Sequence, residues 1–255
     1  MLLMPAPSDH SIAGNIAWLC LTILVLILSF ALSWLILTPM DFAYQWLYGL
    51  IDIDQHIAKY GPENTVRHGF ELTADAERFR LFSGIVSAIH QQGQGLDALV
   101  YHNPQGTALA KLLTHDEVVH LEDVAILIDR MKILVIASLI LFMGVLTWIY
   151  LRFHQIPSFR SMLLTVFIFL AFAIALILII GPYEVFYNLH VWVFPEEHKW
   201  FFYYEESLMS TMMKAPDLFA YIAILLLALA VPIFVFLMWL VRKMMLPKMH
   251  RNAAA

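Results

Sequence analysis

Ile16-Ala-Trp-Leu-Cys-Leu-Thr-Ile-Leu-Val-Leu-Ile-Leu-Ser-Phe-Ala-Leu-Ser-Trp-Leu-Ile-Leu37 runs for 22 residues without one Asp, Glu, Lys, Arg or His. As a helix rising about 1.5 Å per residue it is roughly 33 Å long, which matches the roughly 30 Å hydrocarbon layer of a bilayer. It has no polar face, so it cannot lie on a soluble core as an amphipathic helix does. Three further runs of this kind follow, and the four predicted spans cover about 16–37, 133–150, 162–180 and 218–241. The composition agrees: 61% of the 255 residues are hydrophobic and 14% charged, about half the charged share of a soluble domain. The expectation is an all-α integral membrane protein with four transmembrane helices, read as a single membrane domain over 1–255.

The first run is read as a retained anchor, because no Lys or Arg precedes it and no small-residue cleavage site closes it. Short loops set orientation. Arg152 and Arg160 bracket the second connection, and Arg242, Lys243, Lys248 and Arg251 follow the fourth run. Those ends are predicted to be cytoplasmic, with both termini inside. Segments 38–132 and 181–217 then face outward; the second carries only Lys199 and Lys214 against Glu184, Glu196, Glu197, Glu205, Glu206 and Asp217. Ala253–Ala255 is set aside from the functional reading. A formal charge of −5 gives no reason to expect a nucleic-acid partner, and the single Cys20 can build neither a disulfide framework nor a Cys-based metal site.

The large outward segment begins with an aromatic stretch, Met40 to Ile51, expected at the membrane interface. Phe79, Phe82, Ile85, Val86 and Ile89 have helical spacing within 75–91, with Arg78 and Arg80 elsewhere on the wheel, facing either lipid phosphate or plain water. A breaker-rich stretch, 92–106, reads as loop. Then Thr114-His-Asp-Glu-Val-Val-His-Leu-Glu-Asp-Val places Thr114 and Glu117 in capping-box register and His120 and Asp123 one turn apart. The second outward segment, Tyr183-Glu-Val-Phe-Tyr-Asn-Leu-His-Val-Trp-Val-Phe-Pro, followed by Trp200-Phe-Phe-Tyr-Tyr, is an aromatic layer with His190 embedded in it.

His120 beside a carboxylate suits a general base, although such pairs also occur on ordinary helix surfaces. His190 is either functional or one more ring of the interfacial belt. His115 and His120 stand about 140° apart on a helix, so they are not the i,i+4 pair of a zincin. A metal-dependent hydrolase using His120, Asp123 and His190 remains a second reading, and a non-enzymatic assembly factor a third. Glu205-Glu206 reads as solvated charge, and Ser207, Ser210 and Thr211 lack the setting of a nucleophile elbow.

His120-Leu-Glu-Asp-Val before an apolar span, and Phe186-Tyr-Asn-Leu-His190-Val-Trp-Val-Phe followed by Trp200, resemble the bacterial lipoprotein intramolecular transacylases. Ala125 and Glu205-Glu206 depart from that family's pattern. The resemblance implies a four-span enzyme of the cytoplasmic (inner) membrane, working on its outer face. The implied reaction transfers the sn-2 acyl chain of a diacylglyceryl-cysteine lipoprotein to the α-amino group of the same cysteine, giving the lyso form. His120 and His190 are the implied catalytic pair, with Asp123 (or Glu117) orienting His120 as base and His190 serving the oxyanion or the leaving oxygen. Glu117, Trp192, Trp200, Arg78 and Arg80 are the expected substrate contacts. No cofactor or metal is implied; the partners are the lipoprotein substrate and membrane lipid, and the chain is expected to act as a monomer.

Overall fold

Each apolar run folds as one helix, because in hydrocarbon every backbone N–H and C=O must be bonded within its own segment. A computed structural model describes residues 12–152 and 157–252, with side chains up to 245. Ala253–Ala255 and the side chains of Lys248 and Arg251 lie outside the described residues. In chain order the helices are α1 (Ile12–Leu37), α2 (Tyr44–Leu50), α3 (Ile53–Tyr60), α4 (Asp75–His90), α5 (His115–Arg152), α6 (Phe159–Ile180), α7 (Pro182–Val193), α8 (Leu208–Met213) and α9 (Asp217–Asn252). A hairpin of β1 (Val100–His102) and β2 (Ala108–Lys111) lies between α4 and α5. Four helices are long and apolar enough to cross a membrane, those containing α1, α5, α6 and α9. The all-α expectation holds apart from the hairpin, whose strands of 3 and 4 residues are too short to show a period in sequence.

The chain divides into two compact units. The first holds α1 up to Ser33, α5 from Leu134, α6 to Leu176 and α9 from Leu227. Its core joins Trp18, Leu21 and Val25 to Ile149, Met162, Val166, Phe234, Met238 and Val241. Ile140, Phe169 and Phe172 point away from that core, exposed by 60–69%. So large an apolar exterior is at home only in lipid. Polar side chains inside the spans satisfy themselves: the Thr22 and Ser29 hydroxyls donate to the Trp18 and Val25 carbonyls at 2.7 Å.

The second unit comprises Trp34–Ile133 and Ile177–Leu226. The 38-residue α5 is about 57 Å long, nearly twice the hydrocarbon thickness, and its first turns belong to this unit. Tyr44 stacks on Phe82 at 3.9 Å and donates its hydroxyl to the Met212 carbonyl at 2.7 Å. The Met40–Ile51 stretch expected at the interface is therefore split: Tyr44, Leu47 and Tyr48 are core, while Met40, Trp46 and Leu50 are exposed. Aromatic richness alone does not distinguish a ring packed on protein from one packed on lipid.

The predicted helix over 75–91 forms as α4, burying Leu81, Phe82, Ile85 and Val86. At the start of α5 the capping box is complete. The Thr114 hydroxyl accepts from the Glu117 N–H at 3.3 Å, and the Glu117 carboxylate accepts from the Thr114 N–H. The 92–106 stretch supplies turns and the hairpin tip, where the Asn103 side-chain oxygen accepts from the Gln105 and Thr107 N–H groups and Gly106 takes φ +81°.

Candidate active site

His120 lies in the second turn of α5, in the part that precedes Leu134, and His190 lies near the end of α7. Gly181, at φ +101°, ends α6, and Pro182 opens α7 with a ring that needs no N–H partner. Phe186 and His190 stand four residues apart on α7 and so share one face, and Phe194 follows as the extended residue that caps the helix. Pro195 follows Phe194 and the helix stops there.

The two imidazoles meet at 6.2 Å between ring centroids. Phe194 touches both, at 4.9 Å from His120 and 5.2 Å from His190. Phe202 lies 5.9 Å from His120, while Phe186 and Trp200 lie 4.1 and 4.9 Å from His190. The second aromatic segment thus wraps the histidine pair rather than merely lying flat beside it.

This shell dries the site. His120 is 8% exposed and its Nδ1 is buried without a hydrogen-bond partner. Burial lowers its pKa to about 4, the nearby His190 adds to the effect, and Asp123 opposes it. His190 is lowered by burial as well, against its bond to the Phe186 carbonyl. Both rings are neutral at pH 7. The Phe186 carbonyl lies 2.7 Å from His190 Nδ1 and can only accept, so in the neutral ring the proton sits on Nδ1 and Nε2 keeps a lone pair.

The carboxylates do not face the ring they were expected to serve. Asp123 Oδ2 is 2.6 Å from Nδ1 of His198, a residue that sequence reasoning did not single out. Glu117 is fully buried; one oxygen accepts from the Thr114 N–H and the other from the Ser207 hydroxyl. Ser207 Oγ in turn accepts from the Ser210 N–H at 2.9 Å and caps α8. Glu117 and Ser207 therefore lock the start of α5 to the start of α8.

Arg78 is also buried: Nη1 donates to the Tyr48 hydroxyl at 2.6 Å and to Asp75 at 3.1 Å, Nη2 to the Glu71 carbonyl at 2.9 Å, and Nε to the Thr73 hydroxyl at 3.0 Å. Arg80 pairs with Glu77 and donates to the Val100 carbonyl. Trp200 joins the histidine pair, but Trp192 is 80% exposed. Among the described residues no group of three or more His, Cys, Asp or Glu side chains converges as metal ligands would. With Asp123 turned to His198, the donor set of the metal-hydrolase reading is not assembled.

Histidine 198 was hidden because its partner is 75 residues away. The only local hint is that Pro195-Glu-Glu-His198-Lys breaks an otherwise aromatic run.

No curated protein matches the chain. Solved structures of the membrane integral lipoprotein intramolecular transacylase Lit from Bacillus cereus share its fold. One, carrying a histidine-to-arginine substitution, has a TM-score of 0.62 at 13% identity, covering 94% of this chain and 95% of that one. Another has a TM-score of 0.61 at 14% identity, covering 94% and 98%. The family described as lipoprotein intramolecular transacylase Lit matches residues 90–216, the stretch that contains His120, Asp123, His190, His198 and the rings around them. This chain is a multi-pass membrane enzyme and belongs to the lipoprotein intramolecular transacylase family.

Proposed function

We propose that the enzyme moves the sn-2 acyl chain of a diacylglyceryl-cysteine lipoprotein onto the α-amino group of that cysteine. The observation that carries this reading is the pair of neutral imidazoles held 6.2 Å apart inside an aromatic shell. The amine nitrogen attacks the ester carbonyl carbon and loses a proton as the N–C bond forms; then the C–O bond breaks and the glyceryl oxygen takes a proton up. One base that turns acid accounts for both transfers.

His190 is the better-formed base, because the Phe186 carbonyl fixes its tautomer and leaves Nε2 free to accept. This reverses the expectation that His120 is the base, which relied on a carboxylate that instead serves His198. His120 with its proton on Nε2 is the donor to the oxyanion, since a buried lone pair at Nδ1 costs less than a buried unpaired N–H. Substrate amine and ester belong to one lipid-anchored molecule, so positioning supplies much of the acceleration and no acyl-enzyme is required. The fully buried Ser207, bonded to Glu117, fits a structural role better than a nucleophilic one.

Trp200, and the exposed Trp192 at the membrane surface, are the proposed contacts for substrate and lipid. Glu117 and Arg78 are better assigned to scaffolding, and Arg80, exposed and paired with Glu77, remains a candidate for headgroup contact. The basic residues after the second and fourth runs favour an outward active face and both termini in the cytoplasm.

The test is conversion of a synthetic diacylglyceryl-cysteine peptide by the purified enzyme in nanodiscs. Product and substrate have equal mass, so the readout is fragment ions that place an acyl chain on nitrogen, with loss of amine labelling. His190→Ala is expected to slow conversion about 10²–10⁴-fold. An acyl chain released to water, or an amine that stays free with the wild type, refutes the reading.

A further inference from the structure

The mechanism above leaves one proton unassigned. A free α-amino group has a pKa near about 7.7–8.0, so at neutral pH the substrate nitrogen is mostly ammonium and has no lone pair with which to attack. Two protons must therefore leave nitrogen. One crosses to the glyceryl oxygen inside the site; the other has to be removed before attack and ends in water. The buried pair is a poor place for that first proton, because burial already disfavours charge on both rings.

A group with the opposite setting sits on the same strap of chain. His198 lies four residues after Phe194 and four before Phe202, the two rings that touch His120. Its Nδ1 donates to Asp123 Oδ2 at 2.6 Å, which leaves Nε2 as the free acceptor. Asp123 is one turn from His120 on α5; its side chain is 13% exposed, whereas that of His198 is 40% exposed. The carboxylate keeps its bond whether the ring is neutral or charged, and the ring can return a proton to water. The other charged groups near His198 along the strap are the exposed Glu196 and Glu197, and Lys199, which is drawn away to Glu206 at 3.0 Å and over the Phe202 ring.

We infer that His198, held by Asp123, is a third catalytic histidine that takes the first proton from the substrate's α-ammonium group. In that step an ammonium N–H bond breaks and its proton bonds to His198 Nε2, while the electron pair stays on nitrogen as the nucleophile. The imidazolium remains paired with Asp123 through acyl transfer and loses its proton to water afterwards. The assignment rests on the acyl-transfer reading above.

The proton count makes it testable. With His198 the transition state has the composition of enzyme plus ammonium substrate, so kcat/KM for the diacylglyceryl-cysteine peptide does not fall with the free-amine fraction below the amine pKa. Without His198 the transition state is reached only from free amine, and kcat/KM falls about tenfold per pH unit below about 7.7–8.0. His198→Ala, His198→Gln and Asp123→Asn are compared with wild type between pH 6 and 9. The expected result is a deficit of roughly 10–30-fold near pH 6.5 that closes by pH 9, where the recovered rate also reports an intact fold. A deficit equal at all pH values means His198 only holds the strap, and wild-type rates throughout mean it does nothing; either overturns the assignment. Activity surviving in both His120→Ala and His190→Ala would instead sink the acyl-transfer mechanism, whatever the His198 profile.

Discussion

Phe194→Ala tests whether the aromatic shell, and not some remote feature, keeps the central histidine neutral. Phe194 covers His120 at 4.9 Å and His190 at 5.2 Å, and removing its ring admits water to both. Burial is the largest cause of the low His120 pKa, about 4 against 6.5 for the unperturbed ring. Full rehydration would return about 3 kcal/mol of differential stabilisation to the charged form, and losing one of the two phenyl rings is expected to return about a third to a half of it. In nanodiscs with ¹⁵N-labelled histidine, the wild-type His120 signal, assigned by its absence in His120→Asn, should not titrate above pH 5. In Phe194→Ala it should move up by about one unit or more. Stability gives a second reading. The unfolded chain, with an ordinary imidazole, binds more protons than the native one between pH 6.5 and about 4. This contribution is fully present above pH 6.5 and is lost as pH falls through that window, by about 3 kcal/mol in wild type and less in the variant. A wild-type His120 that titrates near 6.5, or an unchanged value in Phe194→Ala, refutes the reasoning.

Arg78→Ala should cost about 1–3 kcal/mol in thermal or denaturant unfolding, because it removes the donor to the buried Tyr48 and Thr73 hydroxyls and to the Glu71 carbonyl, while Asp75 is exposed enough to stay hydrated. Activity per folded molecule should change far less, which separates a clamp from a substrate contact. Ser207→Ala removes both the hydroxyl donor to the buried Glu117 and the cap of α8, a loss of about 2–4 kcal/mol. Stability restored by pairing it with Glu117→Gln would show that the stranded carboxylate was the larger cost.

The four spans were legible because about 20 apolar residues in a row have few other uses. The start of α5 was legible because a capping box is written in four adjacent residues, Thr114 to Glu117, and needs nothing from elsewhere. The histidine pair was reachable only as two residues expected on one side of the membrane; their meeting depends on how α7 turns after Gly181. Asp123 shows where such reading stops. Three residues from His120, it invited the nearest pairing, yet tertiary packing brings it a histidine from 75 residues away. Arg78 failed for the opposite reason: a charged residue suggests solvent, and nothing local reveals that Tyr48, Thr73, Asp75 and a carbonyl converge on it.

Under the proposed reaction, three imidazoles in three settings would let the site favour amine over water as acceptor. His120 has no partner at Nδ1, His190 has a carbonyl, and His198 has a carboxylate. A carbonyl orients a ring, whereas a carboxylate also supports its cation. If all proton work fell to one solvent-exposed histidine, that base would activate water as readily as the substrate amine, and the enzyme would be an esterase. Under the division proposed above, the first proton rests on the half-exposed His198, His190 holds the second only between attack and departure, and bond-making stays beside rings shielded by Phe186, Phe194, Trp200 and Phe202. Water is kept from the carbonyl while the tethered amine arrives at an effective concentration that no bulk solvent can match. Opening the shell should therefore do more than slow transfer: in Phe194→Ala a growing share of turnover should end as free fatty acid, and a variant that slows without any hydrolysis would show that the rings do not decide the acceptor.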